Sequence, residues 1–343
     1  MKKWNAGVIG CGSIAQALHL PGYAKHPAVD LVAACDPVRQ RHAEAERFCV
    51  QRMYTDYREM LAREQLDVVS VASPNRFHAE HAIAALNAGA HVLLEKPAAL
   101  SMKEIAAIKA AVKKNKRILM VGYSHRFQRG NLKAKKLIDA GAIGEPYMIR
   151  VRFAHMGPLP GWAKSDWFYR PELAGGGAML DMGIHAIDQA IWLVGPVRGV
   201  QAMQATLRKE IRVDDNALLL LEFAGGRALG YIDVGWTSPA GFVGLEVMGD
   251  KGVILIDYAQ GMYLTTGKVT ANVKARMVRK TRLIDPAPTT GGWPAEVPEL
   301  IKHIRMGSDR GHGIDAGGAA LAVALAGYES ARTGRRVKVA KGL

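Results

Sequence analysis

An apolar run of strand length that ends in a charged pair and a proline is the feature that most constrains the fold of this chain. Residues 90–94 read Ala-His-Val-Leu-Leu, and Glu95, Lys96 and Pro97 follow. A Val/Leu-rich run of this kind is typical of an inner strand of a parallel sheet, buried on both faces. Proline has no N–H for the strand ladder, so Pro97 is predicted to end the strand. Ligands bind outside the carboxyl ends of strands in open α/β sheets, which places Glu95 and Lys96 beside a ligand.

The amino-terminal third of the chain repeats this kind of strand between helical stretches. Further strand-like runs lie at residues 6–9, 31–35, 68–72 and 118–122. Strands that alternate with helices predict a doubly wound parallel sheet. After Gly122 the pattern changes, because the pieces between 197 and 283 are strand-sized and separated by glycine turns. We therefore predict an α/β domain at residues 1–122 and an α+β domain at residues 123–343, built on a mostly antiparallel sheet.

The first strand runs into a glycine-rich turn that begins a helix. Gly10, Gly12 and Ala15 form the pattern G-x-G-x-x-A, with Ser13 and Ile14 inside it. This is the fingerprint of a dinucleotide-binding turn, in which the first glycine permits the tight turn and the second lets the backbone approach a pyrophosphate. Amide N–H groups at the helix start would hold the phosphates.

The second strand ends in Asp36, at the position where dinucleotide-binding domains carry an acidic residue. A carboxylate there accepts hydrogen bonds from both ribose hydroxyls and repels an added 2′-phosphate, which favours NAD over NADP. Arg39 and Arg41 lie close enough to keep NADP as the alternative. The other interpretation of Asp36-Pro37 is a simple strand-ending turn.

A second informative segment starts with three glycines, at residues 175–177, and continues as a helix. Asp181, His185 and Asp188 are spaced i, i+4 and i+7, so they share one helical face. A carboxylate one turn from an imidazole can orient it for proton transfer near neutral pH. The alternative is a solvated stripe of polar residues, although the glycines and the preceding long loop, 156–177, favour the close approach of a ligand.

The remaining polar residues give weaker signals. His19 is expected to face solvent, whereas His155, Trp162 and His312 are candidates for a pocket. The basic stretch 268–282 either meets a nucleotide-sugar diphosphate or protects an edge strand from aggregation, and we favour the second interpretation.

Composition excludes several classes of protein. An apolar content of 49% with 22% charged residues is ordinary, and no apolar run is long enough for a membrane span. The start of the chain carries no signal-peptide cleavage pattern, so we expect a cytoplasmic protein. Cys11, Cys35 and Cys49 lack metal-ligand spacing and are expected to be reduced, and no metal is predicted. The net charge is +15, but only 7% of residues are aromatic and no nucleic-acid motif is found, so an anionic small molecule explains the charge better.

Taken in order, these motifs make the chain similar to the glucose–fructose oxidoreductase, inositol dehydrogenase and MocA (Gfo/Idh/MocA) family. The resemblance rests on the glycine turn, on Ser73-Pro74-Asn75 followed by His78, on Glu95-Lys96-Pro97, and on Asp181 and His185 behind the glycine triplet. The ending at residues 329–337 also resembles this family. Ala15 in place of a third glycine is a small departure, and the role of His125-Arg126 stays open.

The resemblance implies a role for each matching residue. Lys96 would bind the reacting oxygen, His185 would act as acid and base, and Asp181 would bind substrate and support His185. The residues implied at the cofactor are Gly10, Gly12, Ser13, Ile14, Asp36, Ser73, Pro74, Asn75, His78, Glu95 and Lys96, and less firmly Trp167 and Arg170.

The predicted function is an NAD(P)-dependent oxidoreductase that transfers a hydride between a secondary hydroxyl of a sugar, polyol or sugar derivative and nicotinamide. Two alternatives stay open. One is a glycosidase that oxidises its sugar transiently and recycles a bound NAD, and the other is a non-catalytic NAD-binding regulator. A homodimer or homotetramer assembled through the antiparallel sheet is expected, with no nucleic-acid or membrane partner.

Overall fold

The computed structural model describes residues 3–241, 243–267, 278–286 and 293–340. Its first sheet consists of six parallel strands in the order β3-β2-β1-β4-β5-β6. These strands are β1 (Trp4–Ile9), β2 (Val29–Cys35), β3 (Arg52–Tyr54), β4 (Val68–Val71), β5 (His91–Leu94) and β6 (Leu119–Val121). The predicted doubly wound parallel sheet is confirmed, and β5 ends just before Glu95, as the proline indicated.

Helices cover both faces of this sheet. They are α1 (Leu20–Lys25), which continues a π-helical turn at Ala15–His19, α2 (Gln40–Glu46), α3 (Tyr57–Arg63), α4 (His78–Asn87) and α5 (Met102–Asn115). Because side chains alternate along a strand, Val69 and Val71 join the core beneath α3, α4 and α5. Val68 and Leu93 point the other way, into a core shared with Leu20 of α1. Burial on both faces explains why the central strands are almost wholly apolar.

The second sheet has nine strands in the order β14-β13-β12-β11-β7-β10-β9-β8-β15. They are β7 (Pro146–Ala154), β8 (Val197–Ala205), β9 (Asn216–Phe223), β10 (Leu229–Gly235), β11 (Gly244–Gly249), β12 (Gly252–Asp257), β13 (Gly261–Thr266), β14 (Lys280–Asp285) and β15 (Val337–Lys338). Every neighbouring pair is antiparallel except β7 with β10. The prediction of a mostly antiparallel second sheet is therefore confirmed.

Six more helices follow β6 in the described part of the chain. They are α6 (Arg129–Asp139), α7 (Pro171–Ala174), α8 (Ala178–Asp181), α9 (Gly183–Val194), α10 (Glu296–Met306) and α11 (Ile314–Thr333). Helix α9 packs on β7 and β10, and α11 contacts β8 and α9 as well as α5 and β6 of the first domain. Helix α10 returns to the first sheet, where Val297, Leu300 and Ile301 enter the core of Val68 and Leu93.

Two predictions from the sequence were wrong. His19 does not face solvent: its side chain is buried, because the π-helical turn directs it onto the first sheet. The loop 156–177 is also more regular than expected, since it contains a 3-10 turn at Trp167–Tyr169 and helix α7. Of the basic stretch, Lys280 and Arg282 lie on β14, the outermost strand of the described sheet, whereas residues 268–277 lie outside the described residues.

Two further features concern the chain as a whole. All three cysteines are unpaired, with Cys11 and Cys35 buried and Cys49 exposed. Among the residues that the structure describes, no helix combines the length and the apolar character needed to cross a lipid bilayer.

Candidate active site

One cavity of about 1190 Å³ lies at the carboxyl ends of the parallel strands, between the two sheets. The glycine turn and the ends of β2, β4 and β5 line it from the first domain, and the long loop with helices α8 and α9 lines it from the second. Pockets for drug-sized ligands measure about 300–1,000 Å³. This cavity is larger, which suits a dinucleotide together with a second small molecule.

The glycine turn has the geometry that its sequence predicts. Gly10 has a φ of +92°, and a Cβ there would lie 2.7 Å from the backbone of Ala72, so that only glycine fits. A Cβ on Gly12 would meet no atom within 4 Å, which leaves its backbone open to a phosphate. Ser13 and Ile14 line the same cavity, and the Ser13 hydroxyl accepts a hydrogen bond from the Lys164 N–H of the long loop. The turn therefore fits the pyrophosphate of a dinucleotide.

Asp36 lies at the end of β2, and its carboxylate is already engaged. Oδ1 accepts the Val38 N–H at 2.9 Å, and Oδ2 accepts the Cys11 N–H at 2.9 Å. The Arg41 guanidinium donates to Oδ2 at 3.1 Å. The carboxylate thus braces the glycine turn and also lines the cavity at the end of β2, where the sequence predicts the adenosine ribose.

Lys96 and Asp181 meet across the boundary between the domains. The Lys96 ammonium lies 2.5 Å from Asp181 Oδ1 and 3.2 Å from the Asp181 carbonyl oxygen. The second carboxylate oxygen accepts the indole N–H of Trp236 at 3.3 Å. Trp236 is fully buried at the end of β10, and no motif in the sequence distinguishes it. These contacts fix the ammonium at the cavity wall, with Asp181 hydrogen bonded to Lys96 rather than to His185.

His185 lies on α9 and lines the same cavity as Lys96. Its ring centroid is 4.6 Å from that of His125, and Tyr123 approaches it edge-on at 6.1 Å. Burial, together with the nearby charges of Lys96 and His125, holds the pKa of His185 well below its usual range. The imidazole is therefore neutral at pH 7 and able to accept a proton.

The turn after β4 reaches the cavity through Ser73, Pro74 and Asn75. The Asn75 side chain donates to the Ala174 carbonyl at 2.8 Å, which links the turn to α7 in the other domain. His78 lies between two carbonyl oxygens, 2.8 Å from that of Ser73 and 2.7 Å from that of Pro97. His78 therefore ties this turn to the end of the Lys96 strand.

The long loop contributes several cavity residues, but not all the candidates lie in the cavity. Trp167 stacks on Phe168 at 3.8 Å and lines the cavity, as does Arg170, whose guanidinium pairs with Asp166 at 2.9 Å. His155 and Trp162 also line it. His312 does not, because its ring stacks on Phe127 at 5.1 Å in another part of the fold.

The sequence analysis did not predict a buried polar cluster that lies next to Lys96. His19 Nε2 lies 3.0 Å from Glu95 Oε1, and its other nitrogen lies 3.1 Å from the Ser70 hydroxyl. Glu296, from α10, brings a carboxyl within 4.8 Å of the same group, and neither of its oxygens has a hydrogen-bond partner. Burial and the Glu95 carboxylate raise the pKa of Glu296 well above its usual range.

Asp188, the third residue of the predicted polar face, has a structural partner. It forms two hydrogen bonds with Arg126, at 2.6 and 2.8 Å, and both side chains are buried. Since Asp181 and His185 are buried too, the alternative of a solvated stripe is wrong. Arg126 also donates to the Gly311 carbonyl at 2.8 Å, which ties α9 to the end of β6 and to the segment before α11.

Comparison with known proteins assigns the family. Residues 4–123 match the family described as "Oxidoreductase family, NAD-binding Rossmann fold", and residues 131–255 match the "GFO/IDH/MocA C-terminal domain". The chain belongs to the Gfo/Idh/MocA family. It is thus an NAD-binding oxidoreductase by family, and the resemblance seen in the sequence is confirmed.

Individual relatives share both the sequence and the fold. The chain is 30% identical to levoglucosan dehydrogenase of Pseudarthrobacter phenanthrenivorans, over 75% of this chain and 74% of that enzyme. It is 35% identical to D-glucoside 3-dehydrogenase of Escherichia coli K12, over 55% of this chain and 53% of that enzyme, so this match spans about half of each protein. A solved structure of levoglucosan dehydrogenase in complex with NADH matches with a TM-score of 0.84 and 26% identity, and covers 99% of this chain and 100% of that chain.

Proposed function

We propose that this protein is an NAD-dependent dehydrogenase that oxidises a secondary hydroxyl of a sugar, polyol or sugar derivative, or runs the reverse reaction. The observation that carries the proposal is the convergence of Lys96, Asp181 and His185 on one cavity that also contains the dinucleotide turn. The names of the relatives, a glucoside dehydrogenase and a levoglucosan dehydrogenase, support a carbohydrate substrate.

The proposed chemistry requires two changes at the hydroxyl group: the hydroxyl proton leaves, and the hydride leaves the carbon that bears the oxygen. Nicotinamide, when bound, is the hydride acceptor. His185 takes the hydroxyl proton, which a neutral imidazole can do, and returns it in the reverse direction. A positioned acid–base group of this kind contributes about 10²–10⁴-fold to the rate.

Lys96 supplies the positive charge at the reacting oxygen. Its ammonium, on a side chain that is only 15% exposed, stabilises the alkoxide character that develops as the proton leaves. Asp181, held by Trp236, orients the ammonium through the 2.5 Å contact and adds an acceptor for a neighbouring substrate hydroxyl. The three side chains therefore divide charge stabilisation, proton transfer and positioning among them.

A spectrophotometric screen tests the proposed reaction against its alternatives. Purified protein is incubated with sugars, polyols and glycosides, and absorbance at the NADH band is followed with NAD and with NADP. A dehydrogenase forms NADH in proportion to substrate, a glycosidase with a recycled cofactor releases sugar without net NADH, and a regulator does neither. The second and third outcomes would each contradict the proposal.

Replacing Lys96 tests its role directly. We expect Lys96→Ala to lower kcat/KM by about 10²–10⁴-fold, because the developing oxyanion loses its cationic partner. Lys103→Ala, an exposed lysine on α5, is the matched control and is expected to leave kcat/KM unchanged. Turnover by Lys96→Ala within a few-fold of the unaltered protein would refute the mechanism.

We also propose that the outer face of the second sheet packs against a second copy of the chain, as a homodimer or homotetramer. Leu255, Glu246, Arg150, Tyr231 and Leu220 are in register across neighbouring strands, so they form one row on this face. The apolar members are 37–58% exposed, and the arginine and glutamate of the row pair at 3.0 Å. An apolar face whose charges are already paired suits burial against an identical face.

A further inference from the structure

The adenosine end of the cavity differs from the arrangement that the sequence alone predicts. Asp36 is only 1% exposed, and its two oxygens together accept two backbone N–H groups and the Arg41 guanidinium. An ionised carboxylate offers about four acceptor positions, so most of this capacity is used inside the protein. The negative charge is balanced by an arginine at 3.1 Å.

At this end of the cavity, Arg41 is the charged side chain that a bound cofactor would contact. Its side chain is 31% exposed, against 1% for the carboxylate beneath it, and it lines the cavity beside Pro37, Val38 and Gln40. Only its Nη1 contacts Asp36. In the described part of the chain its other N–H groups have no protein partner, so a planar fork of donors faces the cavity.

We propose that Arg41 reads the 2′ position of the adenosine ribose and that the protein consequently binds NADP as well as NAD. A bare carboxylate at this position would repel a 2′-phosphate. The Arg41 guanidinium already neutralises the carboxylate, and its Nε and Nη2 can donate a pair of hydrogen bonds to two phosphate oxygens. With NAD, the Arg41 N–H groups that Asp36 does not engage donate to the ribose hydroxyl oxygens instead, while Asp36 holds the guanidinium in place. The same pair of side chains therefore serves both cofactors.

The neighbouring charges support this assignment. Two further acidic side chains line the cavity near this end, and both have a basic partner: Glu44 pairs with Lys164 at 3.1 Å, and Asp56 with Arg58 at 3.7 Å. Arg39 is exposed two residues earlier in the chain but does not line the cavity. Arg41 is thus distinguished from its neighbour by position rather than by charge, and Arg39 is the natural control.

The test measures cofactor binding and needs no substrate, so it is independent of the proposed sugar chemistry. NADH and NADPH are titrated into the protein and their dissociation constants are measured from nicotinamide fluorescence, for the unaltered protein, Arg41→Ala and Arg39→Ala. The quantity compared is the ratio of the NADPH constant to the NADH constant. Circular dichroism and a thermal melt establish that each variant is folded, and Arg41→Gln replaces Arg41→Ala if the latter is not.

We expect a ratio below about 10 in the unaltered protein, and a rise of at least about tenfold, or 1.4 kcal/mol, in Arg41→Ala. Arg39→Ala is expected to keep the original ratio within about threefold, since it changes the same charge at a distance from the ribose. A ratio above about 10 in the unaltered protein overturns the use of NADP. A smaller rise in Arg41→Ala, or an equal rise in Arg39→Ala, overturns the assignment of Arg41.

Discussion

At the scale of single residues, the site depends on charges that are buried and then compensated. Lys96 is held by Asp181, and Asp36 by Arg41, so each charge has a partner at hydrogen-bond distance. Glu296 is the exception, because its carboxyl is buried near Glu95 and neither of its oxygens has a hydrogen-bond partner among the described residues. A buried carboxyl without a partner is expected to hold its proton.

The raised pKa of Glu296 predicts that the free energy of unfolding depends on pH. Its pKa is raised above the ordinary value of 4.5, so the folded state binds a proton that the unfolded state releases. This contribution to the free energy of unfolding is fully present below pH 4.5 and is lost as pH rises through the raised pKa. Glu296→Gln removes the titration, and we expect the variant to lose less stability between pH 5 and pH 8 than the unaltered protein.

Urea unfolding at the two pH values measures this difference. Between pH 5 and pH 8 the variant is expected to lose about 1–4 kcal/mol less stability than the unaltered protein, since a proton that only the folded state holds costs about 1.4 kcal/mol per pH unit. Glu299→Gln, on the same helix but in a partly exposed pair with Lys302, is the control and is expected to change stability by less than about 1 kcal/mol. Equal pH slopes for Glu296→Gln and the unaltered protein would show that Glu296 is not protonated.

At the scale of the elements, helix α9 carries both a catalytic candidate and its anchor. His185 faces the cavity, and Asp188, almost one turn later, is clamped by Arg126. Arg126 follows β6 and also binds the Gly311 carbonyl, so three separate segments meet at one guanidinium. The orientation of the imidazole therefore depends on a contact outside the cavity.

Breaking this clamp is expected to destabilise the protein strongly. Asp188→Asn leaves the Arg126 charge buried without its counter-ion, which typically costs about 3–5 kcal/mol. Urea unfolding measures the loss. The control is Glu145→Gln, which removes an exposed pair with Arg227 and is expected to cost about 0–1 kcal/mol. A similar loss of unfolding free energy in both variants would show that the buried ion pair stabilises the protein no more than the exposed pair does.

Several elements could be predicted from the sequence because their signals are local. The glycine turn, the end of β5 before Pro97 and the spacing of Asp181, His185 and Asp188 each depend on neighbouring residues. Trp236, Glu296 and the burial of His19 depend instead on segments that are distant in sequence and pack together only in the fold. Helix α10 is the clearest case, since nothing in its amphipathic pattern indicates which sheet it covers.

At the scale of the whole molecule, the outer face of the second sheet is the surface that we propose to pack against a second copy of the chain. Leu220→Glu places a charge at the β9 end of this exposed row, on its most exposed apolar member, where it would have to be buried against the second copy. We expect the unaltered protein to sediment as a dimer or tetramer and the variant as a monomer in analytical ultracentrifugation. Leu132→Glu, at an exposed leucine on α6, is the control and is expected to leave the assembly intact.

At this scale the fold also brings Lys96 and His185, which are far apart in the sequence, into the lining of one cavity. If both side chains act on the same substrate oxygen, their contributions to catalysis are coupled, because removing either one disables the shared step. Side chains that act independently would instead contribute separately to the activation free energy.

A double-mutant cycle on kcat/KM is the most direct test of this claim. It compares Lys96→Met, His185→Gln and the double variant, after NADH titration has established that all three bind the cofactor like the unaltered protein. We predict that the double variant loses no more than about tenfold beyond the more damaging single change. A loss equal to the product of the two single losses would contradict a shared reacting oxygen, and with it the proposed mechanism.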